Sequence, residues 1–266
     1  YRKMRIVINS PLKVRKMTQI FHYLKDLSTE VNINCSSDGI YAQGMDSAHI
    51  SLFEIKLQAE WFDEFECKEV DLIGINCELF YKVISCIDDN QSIELTKDSK
   101  KDFFNIKLFG RGLSKEFELN TIEIDEELLS VPETEYSSDI KMNSKEFSDL
   151  IRQLMIFGTD VYFRCNDIIQ METKGEESGT MKINIKEEDI LEYCLEEDAE
   201  LEVEYKLSYL NKFTHFSSVN PEINIHISES VPMMVRYDLD IDDGEEEDKK
   251  IVNFIRFFLA PMIEDS

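Results

Sequence analysis

The order of the predicted elements repeats once along the chain, and this repeat constrains the fold more than any other sequence feature. Each half runs strand, helix, hairpin, strands, helix and strands. The first helix of each half begins at an Asn-Ser pair, and Asn9-Ser10 and Asn143-Ser144 lie 134 residues apart. Residue identity between the halves is low, so the repeat is one of element order. Such a repeat predicts two duplicated units with pseudo-symmetry.

Strands outnumber helices in both halves, which predicts an α+β fold made of two pseudo-symmetric domains. The helices have apolar residues at helical spacing, whereas the strands alternate. Elements of this kind place helices on one face of antiparallel sheets. We expect domains over residues 1–122 and 139–266, connected by a loop over residues 123–138.

Local signals predict where the elements lie. Ser10 and Pro11 occupy the positions of an N-cap and a first helical residue, and Asn143 followed by Glu146 is similar to a capping box. Further helices are predicted over Cys77–Cys86 and Ser208–Phe216. The predicted strands are Met4–Asn9, Val31–Cys35, Ile40–Gln43, His49–Leu57, Phe65–Cys67, Ser92–Thr96, Phe103–Phe109, Glu116–Ile122, Asp139–Met142, Val161–Cys165, Ile168–Glu172, Thr180–Ile185, Ala199–Tyr205, Glu222–Ile227, Val231–Tyr237 and Phe254–Pro261.

The connecting segment Glu123–Ser138 is acidic and lacks a sustained helix or strand period. Pro132 cannot donate to a sheet, and a long polar stretch near the middle of a chain is typical of a linker. A fully solvated tether would not need Leu128, Leu129, Val131 and Tyr136. These side chains either dock the linker on a domain or contribute to a binding surface.

The composition excludes several classes of protein. A hydrophobic content of 42% is sufficient for packed cores. The formal charge of −26 argues against broad adhesion to nucleic acid or anionic membranes, although it does not show how the charges are distributed. No apolar run approaches the ~20 residues of a membrane helix, and no signal peptide opens the sequence. Six scattered cysteines without a C-x-x-C motif indicate reduced thiols: Cys35, Cys67, Cys77, Cys86, Cys165 and Cys194.

No pattern predicts catalysis, a cofactor or a metal site. The nucleotide-binding glycine motifs and the nucleophile elbow are absent, and the four histidines lack metal-ligand spacing. Asp46, Ser47 and His49 have the composition of a triad, but residues so close in sequence favour a structural role. The acidic run Asp238–Lys250 does not fit the register of a calcium-binding loop, and we expect a mobile, solvated loop. We therefore predict that the protein is not an enzyme.

Basic residues recur on the predicted helices of both halves of this acidic chain. On any single helix, an ordinary solvated face explains them well. Their recurrence at matching places favours a cationic face that contacts phosphates without reading sequence. The residues expected on this cationic face are Lys13, Arg15, Lys16, Lys25, Lys82, Lys145, Arg152 and Lys212.

Four ordered stretches resemble the eukaryotic-type DNA sliding clamps of the proliferating cell nuclear antigen (PCNA) family. The longest is Gly39–Leu52, with the sequence Gly-Ile-Tyr-Ala-Gln-Gly-Met-Asp-Ser-Ala-His-Ile-Ser-Leu. The others are Val131–Ser137, Tyr209–Thr214 and Phe258–Asp265. The resemblance spans most of the chain and agrees with the duplicated architecture.

The resemblance implies a head-to-tail homotrimeric ring around double-stranded DNA, with helices lining the hole and sheets outside. It further implies DNA polymerase processivity and the docking of polymerase, clamp loader, flap endonuclease and DNA ligase through PIP-box peptides. No cofactor or membrane is implied. The location implied is the nucleus, or a viral replication site.

The resemblance also assigns site residues. Asp149, Ser85, Ser208 and His215 stand where relatives commonly have cations, so the DNA face departs in part from the family pattern. Subunit contacts are expected at Phe117 of one protomer and at Met181, Ile183 and Ile185 of the next. The PIP-box pocket is expected to comprise Met45, His49, Ile50, Leu52, Leu129, Val131, Pro132, Tyr136, Pro232, Phe258, Leu259, Ala260 and Pro261.

Three other interpretations are weighed against a homotrimeric clamp. One is a clamp-fold accessory subunit that assembles only with non-identical relatives. Another is an acidic interaction protein, which would not need basic residues on paired helices or bind PIP-box peptides. Met45 and Leu52, which the resemblance places in the PIP-box pocket, would on their own indicate core packing. An enzyme is disfavoured because no motif supports one.

Overall fold

The computed structural model describes residues 2–98, 101–125, 127–197, 199–240 and 253–262. Within these residues, the first half consists of a strand, a helix, five strands, a second helix and three strands. The second half contains the same elements in the same order. All named strand pairings are antiparallel. The α+β class and the duplicated element order predicted from the sequence are confirmed.

The described elements have the following bounds. The helices are α1 (Pro11–Leu24), α2 (Cys77–Ile84), α3 (Ser144–Leu154) and α4 (Leu207–Thr214). Strands of the first half are β1 (Arg2–Ile8), β2 (Glu30–Ser36), β3 (Gly39–Met45), β4 (Ser51–Gln58), β5 (Glu64–Cys67), β6 (Asp71–Asn76), β7 (Ser92–Asp98), β8 (Phe103–Gly110) and β9 (Leu113–Asn120). Strands of the second half are β10 (Ser138–Asn143), β11 (Asp160–Cys165), β12 (Ile168–Gly175), β13 (Gly179–Lys186), β14 (Glu192–Leu195), β15 (Leu201–Lys206), β16 (Glu222–Ile227), β17 (Met233–Asp238) and β18 (Phe254–Leu259).

The chain divides into two units with equivalent strand orders. The described residues of the first unit lie within Tyr1–Met45, Glu54–Leu129 and Leu239–Ile255, and those of the second within Asp46–Phe53, Ser130–Asp238 and Arg256–Ser266. The first half contributes the orders β5-β1-β7-β8-β9 and β4-β3-β2-β6. The second half contributes β14-β10-β16-β17-β18 and β13-β12-β11-β15. Each strand therefore has a counterpart at the same place in the other half.

In the first unit, α1 and α2 bury their apolar sides together against the strands. The rings of Phe21 and Phe80 meet edge to face with their centroids 4.4 Å apart. Ile20, Leu24 and Ile84 are almost fully buried around them. Burying a large apolar side chain contributes about 1.5–3 kcal/mol, so these contacts fix which side of each helix faces solvent.

The second unit repeats this packing with different residues. Ile151 and Leu154 of α3 and Leu210 of α4 are fully buried. The ring of Phe213 stacks on Phe257 with a centroid distance of 4.7 Å. The two units therefore pack their helices on their strands in the same arrangement, although different side chains form the contacts.

The two predicted helix starts use different chemistry. Asn143 caps α3 with its side chain, whose Oδ1 accepts hydrogen bonds from the backbone N–H groups of Lys145 and Glu146, both at 3.0 Å. Ser10 occupies the N-cap position of α1 but makes no side-chain capping bond. The Asp63 carboxylate instead accepts from the backbone N–H of Ser10 at 3.2 Å. The start of α1 is predicted correctly, but the acceptor that caps it is the carboxylate of Asp63 rather than the hydroxyl of Ser10.

Other local expectations differ from the structure. Strands β6 and β14 were not predicted, and the helix predicted over Cys77–Cys86 ends at Ile84. Leu79 of α2 and Met155, which directly follows α3, are apolar but 49% and 41% exposed. No described helix has the length and apolar character needed to span a membrane. Of the acidic segment Asp238–Lys250, for which the sequence predicts a solvated loop, residues 241–250 lie outside the described residues.

An ionic network covers one face of β11, β12 and β13. The carboxylate of Glu172 on β12 bonds to Lys174 and Lys182 at 2.9 Å and to Arg164 at 3.1 Å, and its side chain is 6% exposed. Hydrogen bonds from Lys182 and Lys174 are the largest influences on this carboxyl, and they lower its pKa to about 2. Because the folded-state pKa is below the ordinary value, the network stabilises the sheet above about pH 4.5, and this stabilisation is lost as the pH falls towards about 2.

We predict that Glu172→Gln lowers the free energy of local opening of β12 by about 1–3 kcal/mol at neutral pH, because three cations lose their common anion. Amide hydrogen exchange of β12 measures this loss locally. The matched control is Glu202→Gln, whose carboxylate is more exposed and bonds to Arg164. Equal effects of the two changes, or a Glu172 effect that persists undiminished at about pH 2, would contradict this role of Glu172.

Candidate functional site

The carboxylate of Asp46 organises the loop that follows β3, within the second unit. Its Oδ1 accepts hydrogen bonds from the backbone N–H of Ile50 (2.8 Å) and of Ser51 (2.5 Å). Its Oδ2 accepts from the N–H of Ala48 (3.1 Å) and from the hydroxyl of Tyr209 on α4 (2.9 Å). These bonds join the loop to a helix that is distant in sequence.

The same bonds set the charge state of the loop. Burial favours the neutral acid, but hydrogen bonds from Ser51 N–H, the Tyr209 hydroxyl and Ala48 N–H outweigh it and hold the pKa of Asp46 below its usual value. Burial and the Asp46 carboxylate raise the pKa of Tyr209. The carboxylate is therefore ionised and the phenol neutral at physiological pH. His49, between the anchored residues, has a positive φ of 56°, which is uncommon for a residue other than glycine.

The end of β18 lies beside this loop in the second unit. The backbone N–H of Ala260 donates to the carbonyl of Ile50 at 3.0 Å, and that of Met262 donates to the carbonyl of Glu204 at 2.9 Å. The Arg256 guanidinium lies 5.1 Å from the ring centroid of Phe258. Phe258 is half-buried, so part of its ring is accessible to a ligand.

The segment before β10 contributes a third part of the site. The hydroxyl of Tyr136 donates to the carbonyl of Pro232 at 3.3 Å, and its ring lies 5.5 Å from that of His226. Burial raises the pKa of Tyr136, so the phenol is neutral. Val131 is half-buried and Pro132 exposed. The uncharged phenol of Tyr136 and the partly accessible side chain of Val131 suit an apolar ligand.

Eleven of the thirteen residues predicted for the partner pocket belong to the second unit. Direct hydrogen bonds connect Ile50 with Ala260 and Tyr136 with Pro232. The side chain of Leu259 is fully buried, so we expect it to support the strand end rather than touch a ligand. The eleven residues are His49, Ile50, Leu52, Val131, Pro132, Tyr136, Pro232, Phe258, Leu259, Ala260 and Pro261.

The other two predicted pocket residues, Met45 and Leu129, belong to the first unit. The side chain of Gln43 on β3 pairs with the backbone of Leu129. Gln43 Nε2 donates to the Leu129 carbonyl at 3.0 Å, and Leu129 N–H donates to Gln43 Oε1 at 2.7 Å. Leu129 is nevertheless 47% exposed and Met45 half-buried. The linker is thus fixed through its backbone while its apolar side chain stays accessible.

The four helices are richer in cations than the chain as a whole. They carry seven lysines and arginines and three acidic residues, whereas the chain has 29 basic and 55 acidic residues. Arg15 and Lys145 are exposed, but Lys16 is 8% exposed and suits a direct contact less well. The other predicted DNA-facing cations have intramolecular partners: Lys13 with Asp63, Lys25 with Asp26, Lys82 with Glu78, Arg152 with Asp149, and Lys212 with the ring of Tyr209.

The predicted subunit contacts lie on two edge strands. Phe117 is on β9, which ends the order β5-β1-β7-β8-β9. Met181, Ile183 and Ile185 are on β13, which ends the order β13-β12-β11-β15. All four side chains are half-buried and alternate with exposed residues. Edges of this kind offer unpaired backbone groups to another strand.

Sequence reasoning gave Asp46 only a structural role, and it missed Tyr209, which binds Asp46 in the second unit, and Gln43, which binds the backbone of Leu129 in the first. The turn residues after Asp46 were a usable signal, because an aspartate often accepts bonds from the backbone that follows it. No comparable local signal marks Gln43 or Tyr209, whose partners are distant in sequence. Among the residues that the structure describes, no group of His, Cys, Asp or Glu side chains is arranged to hold a metal ion.

We predict that Asp46→Asn loosens the loop, because the anion that accepts several N–H groups is lost. The loss of these bonds, worth about 1–2 kcal/mol, is measurable as faster amide exchange at Ile50 and Ser51. The unmodified chain should loosen in the same way as the pH falls below about 4. The pKa of Asp46 is lower in the folded chain than in the unfolded chain, so its carboxylate stabilises the fold above the unfolded-state pKa, and this stabilisation is lost as the pH falls. The control Ser47→Ala, in the same loop, should leave exchange unchanged, and equal effects would contradict the role of Asp46.

Two family models match the chain, one over each half. The N-terminal domain of proliferating cell nuclear antigen matches residues 12–128. The C-terminal domain of the same protein matches residues 130–261. The two matches meet within the connecting segment that carries Leu129 and Val131.

Proposed function

This chain belongs to the proliferating cell nuclear antigen family of DNA sliding clamps, and we propose that it is a processivity factor. In this proposal three copies close a ring around duplex DNA, and the ring holds replication and repair enzymes at their template. It acts by binding and topology rather than by catalysis. The nucleus is the expected location, from the family alone.

The equivalence of two strand pairs carries the proposal of a homotrimer. In the second unit, the start of β4 lies beside the end of β18, as the bond from Ala260 to Ile50 shows. By element order, β13 is the counterpart of β4, and β9 is the counterpart of β18. Both β13 and β9 end their described sheets. Pairing β9 of one protomer with β13 of the next would repeat a contact that the chain already makes, and a repeated head-to-tail contact closes a ring when the rotation permits.

The charge distribution supports sliding. A ring retains DNA by encircling it, so tight phosphate contacts are unnecessary. Ion pairs within the chain weaken the phosphate contacts of Lys25, Lys82 and Arg152 without removing their positive charges. The strongly acidic remainder of the chain disfavours DNA binding elsewhere.

The surface built around Asp46, Tyr136 and β18 supports the docking of PIP-box peptides. Such a peptide folds as a short helical plug with apolar anchors, which is a helix-in-groove mode of recognition. Half-buried Val131, Ile50 and Phe258 offer apolar contacts. The partners expected here are DNA polymerase, clamp loader, flap endonuclease and DNA ligase.

We predict that Phe258→Ala combined with Val131→Ala weakens binding of a PIP-box peptide by about tenfold or more, because two apolar contacts are lost. Titration by calorimetry or fluorescence anisotropy measures the affinity. The matched control, Val70→Ala with Leu191→Ala, removes side chains that are 77% and 58% exposed elsewhere. Unchanged affinity in the first variant would show that the peptide site is misassigned.

We also predict that Lys25→Glu combined with Arg152→Glu reduces polymerase processivity and makes it more sensitive to salt, because acidic side chains would then face the phosphates. Primer extension on a long template, with salt varied, measures both effects. The control, Lys56→Glu with Lys68→Glu, makes the same charge change at exposed positions outside the four helices. If processivity survives the first reversal as well as the control, the assigned DNA face is wrong.

A further inference from the structure

Two cysteine thiols from different sheets meet in the first unit. Cys35 lies near the end of β2, and Cys67 is the last residue of β5. Strand β5 begins the order β5-β1-β7-β8-β9, whereas β2 belongs to the sheet that ends in β6. The two thiols are nevertheless close enough to hydrogen-bond to each other. Both are free thiols in this structure.

The path of the chain explains why these thiols meet. Only residues 68–70 connect β5 to β6, and Asp71 at the start of β6 is the register partner of Cys35. The register partner of Cys67 is Met4 on β1, which is 2% exposed. Opposite residues of antiparallel strands project their side chains to the same face, so Cys67 is directed towards the core side of its sheet. The short connection therefore holds the Cys67 side chain beside the strand pair that carries Cys35.

The two thiols differ in their access to solvent. Cys35 is fully buried, whereas Cys67 is half-buried and its Sγ donates to the carbonyl of Glu69 at 3.1 Å. Burial and the adjacent Cys67 thiol raise the pKa of Cys35, so Cys35 stays protonated at physiological pH. A dissolved oxidant therefore reaches Cys67 first, with Cys35 directly behind it. This is the arrangement of a reacting thiol and a resolving thiol.

We propose that Cys35 and Cys67 form a reversible disulfide when the protein meets a peroxide. Hydrogen peroxide oxidises the Cys67 thiol to a sulfenic acid and is reduced to water. The sulfur of Cys35 then attacks the sulfenic sulfur, so that the S–S bond forms as the S–O bond breaks. The hydroxyl leaves as water with the Cys35 proton. The two thiols thus supply the two electrons that the peroxide accepts, and a dithiol reductant restores them by exchange.

This disulfide would lock the two sheets of the first unit together. It joins residues 32 positions apart in the sequence, and closing a loop of that length restricts the unfolded chain more than the folded one. Strand β5 has only four residues and pairs with β1 at the edge of its sheet, so the crosslink adds a second attachment. We expect the melting temperature to rise by about 5–15 °C on oxidation. Neither thiol belongs to the assigned DNA face or partner surface, so the inference is independent of the proposed function.

The test is peroxide treatment of the full chain carrying Cys86→Ser and Cys194→Ser, which removes the two exposed thiols and leaves four of the six cysteines. Remaining thiols are alkylated in denaturant, and the chain is digested without reductant for mass spectrometry. We expect a peptide pair linking Cys35 to Cys67, with titratable thiols falling from four to two and returning to four with dithiothreitol. The unmodified chain should give the same linked pair. Failure to find this pair in either chain, or a link between other cysteines instead, would overturn the proposal.

Single variants test the order of the steps and the effect on stability. Cys35→Ala should stop at a Cys67 sulfenic acid, which dimedone traps, and its melting temperature should not rise with peroxide. Cys67→Ala should leave Cys35 unlabelled by dimedone. Labelling of Cys35 in that variant would contradict the assigned order. A linked pair that leaves the melting temperature of the unmodified chain unchanged would contradict the locking role, and this measurement needs no variant to fold.

Discussion

Burial of one apolar side on each helix determines where the charges of this protein can lie. In the first unit the contact between Phe21 and Phe80 holds α1 and α2 together. In the second unit, Ile151 of α3 and Phe213 of α4 are buried in the core. Since the inward sides are committed to these contacts, the lysines and arginines of the helices, apart from the buried Lys16, lie on the outward sides. A chain with a formal charge of −26 can thereby present two comparatively basic helix pairs.

In each unit, hydrogen bonds between residues that are far apart in sequence order the irregular segments that carry predicted partner residues. Asp46 binds Tyr209 as well as its own loop, and Gln43 binds both backbone groups of Leu129. In each case a polar side chain fixes an irregular segment whose apolar residues then stay accessible. A loop ordered in this way loses less conformational entropy when a peptide binds, which favours affinity. The polar contacts therefore support recognition of an apolar ligand without touching it.

The sequence predicted the fold where a periodic pattern was long enough. The strand Glu222–Ile227 was predicted with its observed bounds, and the helix start at Asn143 has the expected cap. Strand β14 has four residues, and β6 contains Gly74, where an added Cβ would lie 2.1 Å from the carbonyl oxygen of Ile122. Such elements are defined by their neighbours rather than by their own residues. The same holds for Asp63, which binds the backbone at the start of α1 from far along the chain.

The candidate site was predicted through resemblance to a family rather than through local chemistry. Leu129 and Val131 indicated that the linker is more than a tether, but no local pattern identified Gln43 as the partner of Leu129 or Tyr209 as the partner of Asp46. Tertiary hydrogen bonds leave no periodic signal in a sequence.

The measurement that tests the central claim most directly is the solution mass of the chain by light scattering over a range of concentrations. Pairing of β9 with β13 in a closed head-to-tail ring predicts a mass of about 94 kDa, three times the 31.2 kDa of one chain. On dilution, the measured mass should fall below this value only where the concentration is low enough for the ring to dissociate. A mass of 31.2 kDa at every concentration would contradict a self-sufficient homotrimeric clamp.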